Sequence, residues 1–329
     1  MGVKPDDKLA EGGQLLLKIT NDAQKNFEDD VIDGLSQAQK TIPCRWLYDE
    51  RGSELFEEIT ALPEYYPTRT ETEILSQCAA GIADYVGPNA TVVEYGAGAS
   101  VKTRTLIDAL RQISTYIPVD ISAEFLRTSS ASLQEDYPAL NIEPVVADFL
   151  TTVDLPKKSR NGKRVGFFPG STIGNLDSPA VTGFMNRARA ELGEDAHFVL
   201  GADLKKDPNI LLPAYNDAAG ITSEFNLNLL RRINRELGAN FDVSSFKHEA
   251  RWNDDDASVE MHLVSERDQP VEISGNTFDF KRGETVHTES SRKFEIEGLI
   301  KLIAQCGWRY IDNWVDKDNF FSVILFEAS

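Results

Sequence analysis

Two glycines, Gly96 and Gly98, stand in "VVEYGAGASVK" between an apolar run and an amphipathic one. A glycine turn joining a strand to a helix leaves N–H groups at the helix N-terminus unpaired, and such donors suit a nucleotide-like ligand. A dinucleotide fingerprint requires a further glycine at the position held here by Val101, which argues against a nicotinamide dinucleotide. Two more apolar runs end in acids: Asp120 closes "YIPVD", and Asp148, followed by Phe149, closes "VVADF". A carboxylate can accept both hydroxyls of a ribose, and an acid beside an aromatic ring can take the edge and face of an adenine. Either acid alone reads more readily as a helix cap or a solvated loop residue. With the glycine turn they mark successive C-terminal strand ends, the side on which open α/β sheets bind ligands. A separate question is set by "LPEYYPTRTETEIL", where Tyr65 and Tyr66 lie between two prolines. They are either packing at a corner or a polar handle pointed at a ligand.

The elements that must position these residues alternate. Strand patterns "TVVEYGAG", "TYIPVDIS", "IEPVVADFL", "RVGFFPGSTIGN" and "AHFVLGADL" are separated by helical patterns such as "SVKTRTLIDALRQ" and "AEFLRTSSASLQEDY". Apolar strands alternating with amphipathic helices predict a parallel sheet covered on both faces. Ahead of them, a helix is expected to start at a capping box of Thr70 and Glu73, burying Ile74, Cys78 and Ile82 with Leu75, Ala79 and Val86. Another, "SPAVTGFMNRARAELG", has Ser178 at the expected cap and Pro179 as its first helical residue. The pattern breaks after Leu204. A long helix, "TSEFNLNLLRRINRELG", is expected to bury Phe225, Leu229, Ile233 and Leu237, and strand-like pieces "SSFKHEARW", "SVEMHLVSE" and "TFDFKRGETVHTES" follow. The α/β pattern returns as helix, strand, turn, strand, implying an antiparallel hairpin at one sheet edge. The fold class is therefore α/β with a discontinuous second α+β lobe: residues 1–69 and 206–292 form the lobe, and 70–205 with 293–329 the sheet domain. The opening residues are polar and weakly periodic, with helix in part.

Composition excludes several classes. The 329-residue chain carries a net charge of −19 with scattered Lys and Arg, a surface that repels phosphate backbones. Cys44, Cys78 and Cys306 are far apart, forming neither a disulfide framework nor a metal cluster, and imply a reducing, cytoplasmic setting. The opening "MGVKPDDKLAEGG" lacks an apolar signal core, and no apolar run approaches the roughly 20 residues that span a bilayer. His197, His248, His262 and His287 show no ligand spacing and read as structural or exposed, although a regular strand would put His287 on the same face as Glu289.

The glycine turn, the two acidic strand ends and the final hairpin resemble the Rossmann-like class I S-adenosylmethionine-dependent methyltransferases. "RWLYDERGSELFEEITALPEYYPTRTETEIL", "GSTIGNL", "AYNDAAGITSEFN", "VEMHL" and "TESSRKF" are similar more narrowly to the histidine-specific Nα-methyltransferases of ergothioneine biosynthesis, from about residue 41 to the C-terminus. The resemblance implies three methyl transfers from S-adenosylmethionine to the α-amino group of L-histidine, giving hercynine. Methyl transfer needs no metal, and the acidic surface and lack of a spanning apolar run leave no nucleic-acid or membrane partner to expect; a monomer is expected. The resemblance also implies cofactor contacts at Gly96, Gly98, Lys102, Asp120, Asp148 and Phe149. It places Tyr65 at the substrate, Asn175 and Tyr215 at its α-amino and carboxylate end, Tyr48 near the reacting nitrogen as the catalytic position, and Phe56 and Met261 on the pocket wall. Glu289 and Ser291 would read the imidazole; two apart on a strand, they share a face, and an acid and a hydroxyl can bracket two ring nitrogens. Tyr66 is expected to pack or to face solvent. The alternatives are an N-methyltransferase for another aromatic amino acid or amine such as tryptophan, a non-catalytic S-adenosylmethionine-binding protein, and an NAD-dependent oxidoreductase, the last disfavoured by Val101.

Overall fold

Strands without a polar face need cover on both sides, and Thr91–Tyr95 and His197–Asp203 are buried at every position. The computed structural model describes residues 18–19, 23–98, 101–110, 113–156 and 162–329. The opening segment expected to be partly helical falls largely outside the described residues. So do positions 99–100 of the glycine turn and 111–112 at the end of the next helical pattern.

The main sheet runs in the spatial order 18–19, 145–146, 115–120, 91–95, 164–168, 197–203, 321–328, 308–315, with 141–142 also pairing with 115–120. The pairings from 145–146 through to 197–203 are parallel. Phe321–Ala328 runs antiparallel between His197–Asp203 and the edge strand Trp308–Val315. This is the class I methyltransferase arrangement. The chain leaves Thr91–Tyr95 toward one side and later returns on the other at Arg164–Phe168, so a crevice opens between the C-terminal ends of these two strands. Helices Tyr66–Val86 and Val101–Ala109 cover one face, and Ser178–Leu192 and Ile296–Ala304 the other.

A second sheet pairs 40–41, 285–292, 258–265 and 246–253, and carries its own core with helices Ala23–Leu35, Glu50–Thr60 and Ile221–Leu237. Phe225, Leu229 and Ile233 are buried in that core, and Leu237 packs at its margin.

Local readings of the sequence differ from the structure where a nearby residue makes a better terminus. The helix expected to start at Thr70 begins at Tyr66, with Pro67 in its first turn, where proline's fixed φ and missing N–H cost nothing. Its anticipated buried row, Ile74, Cys78 and Ile82, is buried. The helix Ser178–Leu192 is capped by Asp177, whose carboxylate accepts from Ala180 N at 2.8 Å, so Ser178 is its first residue. "IEPVV" splits into Asn141–Ile142 and Val145–Val146 around Pro144, which has no N–H for a ladder. The insertion also holds a hairpin, Gln269–Ile273 with Asn276–Phe280, turned by Ser274 and Gly275 at φ 47° and 81°. "TFDFKRGETVHTES" belongs partly to that hairpin and partly to Thr285–Arg292.

Candidate active site

Two adjoining cavities open at the crevice. The larger, about 630 Å³, is lined by Gly96, Gly98, Lys102, Asp120, Asp148 and Phe149 from the main sheet. The smaller reaches under the second sheet, to Tyr215, Met261, Glu289 and Ser291. Tyr48, Phe56, Tyr65 and Asn175 line both. All the cofactor- and substrate-site residues expected from the sequence therefore surround one continuous space, and no histidine lines it.

At the cofactor-like end, Gly96 has φ 72°, and a Cβ there would lie 3.5 Å from the Phe149 ring. Glycine suits this left-handed turn and keeps the backbone bare toward the cavity. Gly96 N and Ala97 N both donate to Val119 O, at 2.9 and 3.1 Å, tying the turn to the next strand. Asp120 accepts from Ser122 N at 2.8 Å; burial nonetheless raises its carboxyl to about 7, against the lowering effect of the Ser122 and Ile121 backbone donors. Asp148 accepts from Leu150 N at 2.8 Å, and the Arg45 guanidinium lies 3.6 Å away. Glu94, also on the cavity wall, is raised to about 7 by burial while accepting from Thr103 and Tyr116, each at 2.7 Å. Lys102 is not solvated: its Nζ lies 2.8 Å from Glu71 Oε2, which also accepts Gly170 N at 2.8 Å.

Aromatic rings form the junction between the cavities. Tyr48 meets Phe56 edge-on at 5.5 Å, Phe56 meets Tyr65 at 6.2 Å, and Tyr65 meets Tyr215 at 6.3 Å. Burial drives the phenols of Tyr48, Tyr65 and Tyr215 well above their ordinary range, so all three stay protonated. The Cys44 thiol on the same wall is pushed up to about 12, chiefly by burial, and is inert as a nucleophile. Asn175 closes the 3₁₀ turn Thr172–Asn175, entered through left-handed Ser171 at φ 57°.

At the far end, the strand Thr285–Arg292 carries Glu289 and Ser291. Its register with Ser258–Ser265 shifts between Met261, opposite Glu289, and His262, opposite His287. Thr288 is the extra residue of this bulge, and its hydroxyl donates to Met261 O at 3.0 Å. The parity inferred for His287 therefore fails: its ring tilts against His262 at 5.1 Å and meets Ser290 Oγ at 3.0 Å, away from the cavity. Glu289 Oε2 is buried with no hydrogen-bond partner among the described residues, and burial lifts its carboxyl to about 7 against the pull of Lys293.

Several residues of this site escaped the sequence reading. Tyr66 neither packs idly nor points to solvent: its hydroxyl donates to Asp203, with both carboxylate oxygens at 2.8 Å, and accepts from Lys206 at 2.7 Å. Asp203 also binds Lys293 at 2.8 Å, and Lys293 reaches Tyr215 Oη at 2.8 Å and Ser291 Oγ at 2.9 Å. The available signal was a charged residue closing an apolar strand, "FVLGAD", and a lysine in "SSRKF" at the same strand parity as Glu289 and Ser291.

Comparison with known proteins agrees with this geometry. A family model described as histidine-specific methyltransferase, SAM-dependent, matches residues 27–328. The histidine N-alpha-methyltransferase of Mycolicibacterium smegmatis is 41% identical over 308 residues, covering 92% of this chain and 95% of that one. That of Mycobacterium tuberculosis is 40% identical, covering 90% and 93%. Ergothioneine biosynthesis protein 1 of Neurospora crassa is 32% identical over 204 residues, 60% of this chain and 23% of its own longer length. With a family match over residues 27–328 and such identity to relatives aligned over more than nine-tenths of their own length, the chain belongs to the histidine-specific, S-adenosylmethionine-dependent methyltransferase family.

Proposed function

We propose that this chain transfers methyl groups from S-adenosylmethionine to the α-amino nitrogen of L-histidine, three times, giving hercynine, the first step of ergothioneine biosynthesis. The observation that carries the reading is the shared wall of Tyr48, Phe56, Tyr65 and Asn175 between a strand-end cavity and a deeper one ending at Glu289 and Ser291. The larger cavity suits the cofactor: a bare left-handed glycine faces Phe149, and Asp120 and Asp148 offer carboxylates for hydroxyl and amine donors. When bound, the sulfonium supplies a methyl group whose S–C bond breaks as the N–C bond to the amine forms.

The protein's own work is orientation. Holding the two reactants near attack geometry is worth roughly 7–11 kcal/mol. Tyr48 and Asn175 have oxygens that can accept the amine's N–H bonds and aim its lone pair. Asn175 holds the carboxylate end and Tyr65 closes the wall beside it, while Tyr215, whose hydroxyl is bound to Ser291 and Lys293, serves the ring end instead. The rings of Tyr48, Phe56 and Tyr65 suit the quaternary ammonium product, by about 0.5–2 kcal/mol each. Glu289 and Ser291 favour imidazole over indole, because indole has one N–H and no ring acceptor.

The same reading divides the chain into a substrate lobe, 1–69 with 206–292, and a cofactor domain, 70–205 with 293–329, a division supported by the separate core of the second sheet. It is read as a cytoplasmic monomer without nucleic-acid partners, supported by the net charge of −19 and three free cysteines. No helix among the described residues is long and apolar enough to cross a membrane. Mass spectrometry of histidine incubated with enzyme and cofactor tests the activity. Successive gains of one, two and three methyl groups are expected; equal methylation of tryptophan would defeat the histidine preference.

A further inference from the structure

The hydroxyls of Tyr215 and Ser291 lie 2.7 Å apart, so one of them must donate to the other. Lys293 Nζ donates to both, at 2.8 and 2.9 Å, and its third bond goes to Asp203 at 2.8 Å. An ammonium has three donors and no acceptor, so Lys293 takes a lone pair from each hydroxyl. The bond between the hydroxyls consumes one proton and one further lone pair. The pair is left with one free O–H and one free lone pair, and a fixed positive charge behind it favours the O–H as the group offered to a ligand. Lys206 also pairs with Asp203, at 2.5 Å, so the two ammonium groups outnumber the carboxylate between them. The charged groups around Lys293 are Asp203, Lys206 and Glu289, with the protonated phenols of Tyr65, Tyr66 and Tyr215.

The geometry points to Lys293 as a positioning residue that commits the Tyr215–Ser291 pair to donating, so that with the acceptor Glu289 it selects a neutral imidazole carrying one N–H and one bare nitrogen. This deepens the histidine reading and rests on it. Ser291 and Glu289 face one cavity from one strand, and Glu289 Oε2 has no partner among the described residues. An imidazolium, with two N–H groups and no bare nitrogen, would turn a donor toward a donor with an ammonium behind it. An amino acid whose ring has an N–H but no bare nitrogen would leave the committed hydroxyl unpaired, and sites of that kind reject such ligands strongly.

The test uses ring-¹⁵N-labelled L-histidine bound to the native protein, with S-adenosylhomocysteine present to prevent turnover. At about pH 6.5 half of the free imidazole is protonated; the bound ring is expected to show one protonated and one bare nitrogen. A doubly protonated bound ring overturns the inference while leaving the methyltransferase reading intact; failure of the native protein to bind or methylate histidine would instead overturn that reading. In Lys293→Met the imidazolium should be admitted. The ratio of kcat/KM for histidine over the pyrrolylalanine isomers should also fall at least about tenfold, with KM for histidine rising more than kcat falls. An unchanged ratio would show Lys293 to be merely structural. If Lys293→Met does not fold, Tyr215→Phe decides: Ser291 then takes the Lys293 N–H alone, and the bound ring should still be neutral. A doubly protonated ring in that variant overturns the inference.

Discussion

Glu289 illustrates how a single buried acid ties stability to ligand recognition. Its carboxyl titrates near 7 because burial disfavours the charge, whereas the unfolded chain releases that proton near 4.5. A raised native pKa means a contribution that is full below about 4.5 and lost as the pH climbs through about 7, worth up to about 3 kcal/mol. Glu289→Gln should therefore be no less stable than the native protein above neutrality, and should lose part of the native decline between about pH 5 and 8 in urea denaturation. Histidine binding should move the opposite way, because the ionised acid is the better acceptor for a ring N–H. Calorimetry across pH 7 should show a larger step in the native protein than in Glu289→Gln, where only the ring of the free ligand titrates; steps of the same size in both would detach Glu289 from the ring. The spacing of Glu289 and Ser291 was readable in the chain because strand parity is local. The partners of Asp203, Lys293 and Glu71 were not. An isolated charge reads as solvated until the fold supplies its counter-ion, and Lys293 meets Tyr215 from 78 positions away.

The same division between local and distant information holds for whole elements. Period and punctuation located the strands and helices of the main sheet, since each strand carries its own apolar run. Termini shifted where two cap residues competed, as at Asp177 and Ser178, and a bulge at Thr288 altered parity that no local pattern announces. The helix Tyr66–Val86 shows what an element does beyond covering a sheet. Its buried Glu71 holds Lys102 on the cofactor side and the Gly170 N–H that starts the turn leading to Asn175. Glu71→Ala would leave an ammonium and a backbone donor without their carboxylate, a loss of about 3–5 kcal/mol when a buried pair is broken. Denaturant midpoints should fall accordingly, and cofactor affinity with them. The helix also sits close on the sheet: a Cβ at Gly201 would come within 2.0 Å of Glu71 Oε1. Gly201→Ala should mimic part of the Glu71 loss without touching a charge, by about 1–3 kcal/mol of overpacking. Stability equal to native in that variant would show that the carboxylate can move aside freely.

Across the molecule, two sheets with separate cores must present one cavity, and the seam between them is narrow. Asp203 ends a strand of the main sheet and Lys293 follows a strand of the second, joined at 2.8 Å. Beside them the turn Thr172–Asn175 presses on the second sheet so tightly that a Cβ at Gly174 would lie 2.7 Å from Arg292 O and 3.2 Å from Arg292 N. Backbone cannot swing aside as a flexible side chain can, so Gly174→Ala has to shift the turn or part the sheets. Either response displaces Asn175, which lines both cavities, while Gly96, Asp120 and Phe149 on the other side of the larger one keep their supports. The expected result is a split: histidine affinity falls by about tenfold or more, about 1.4 kcal/mol, while S-adenosylhomocysteine affinity changes by less than about threefold. Titration calorimetry of both ligands on one preparation measures it. Equal losses would mean that the seam holds the whole cavity as one body; no loss would mean that the sheets tolerate a wider gap than their contact implies.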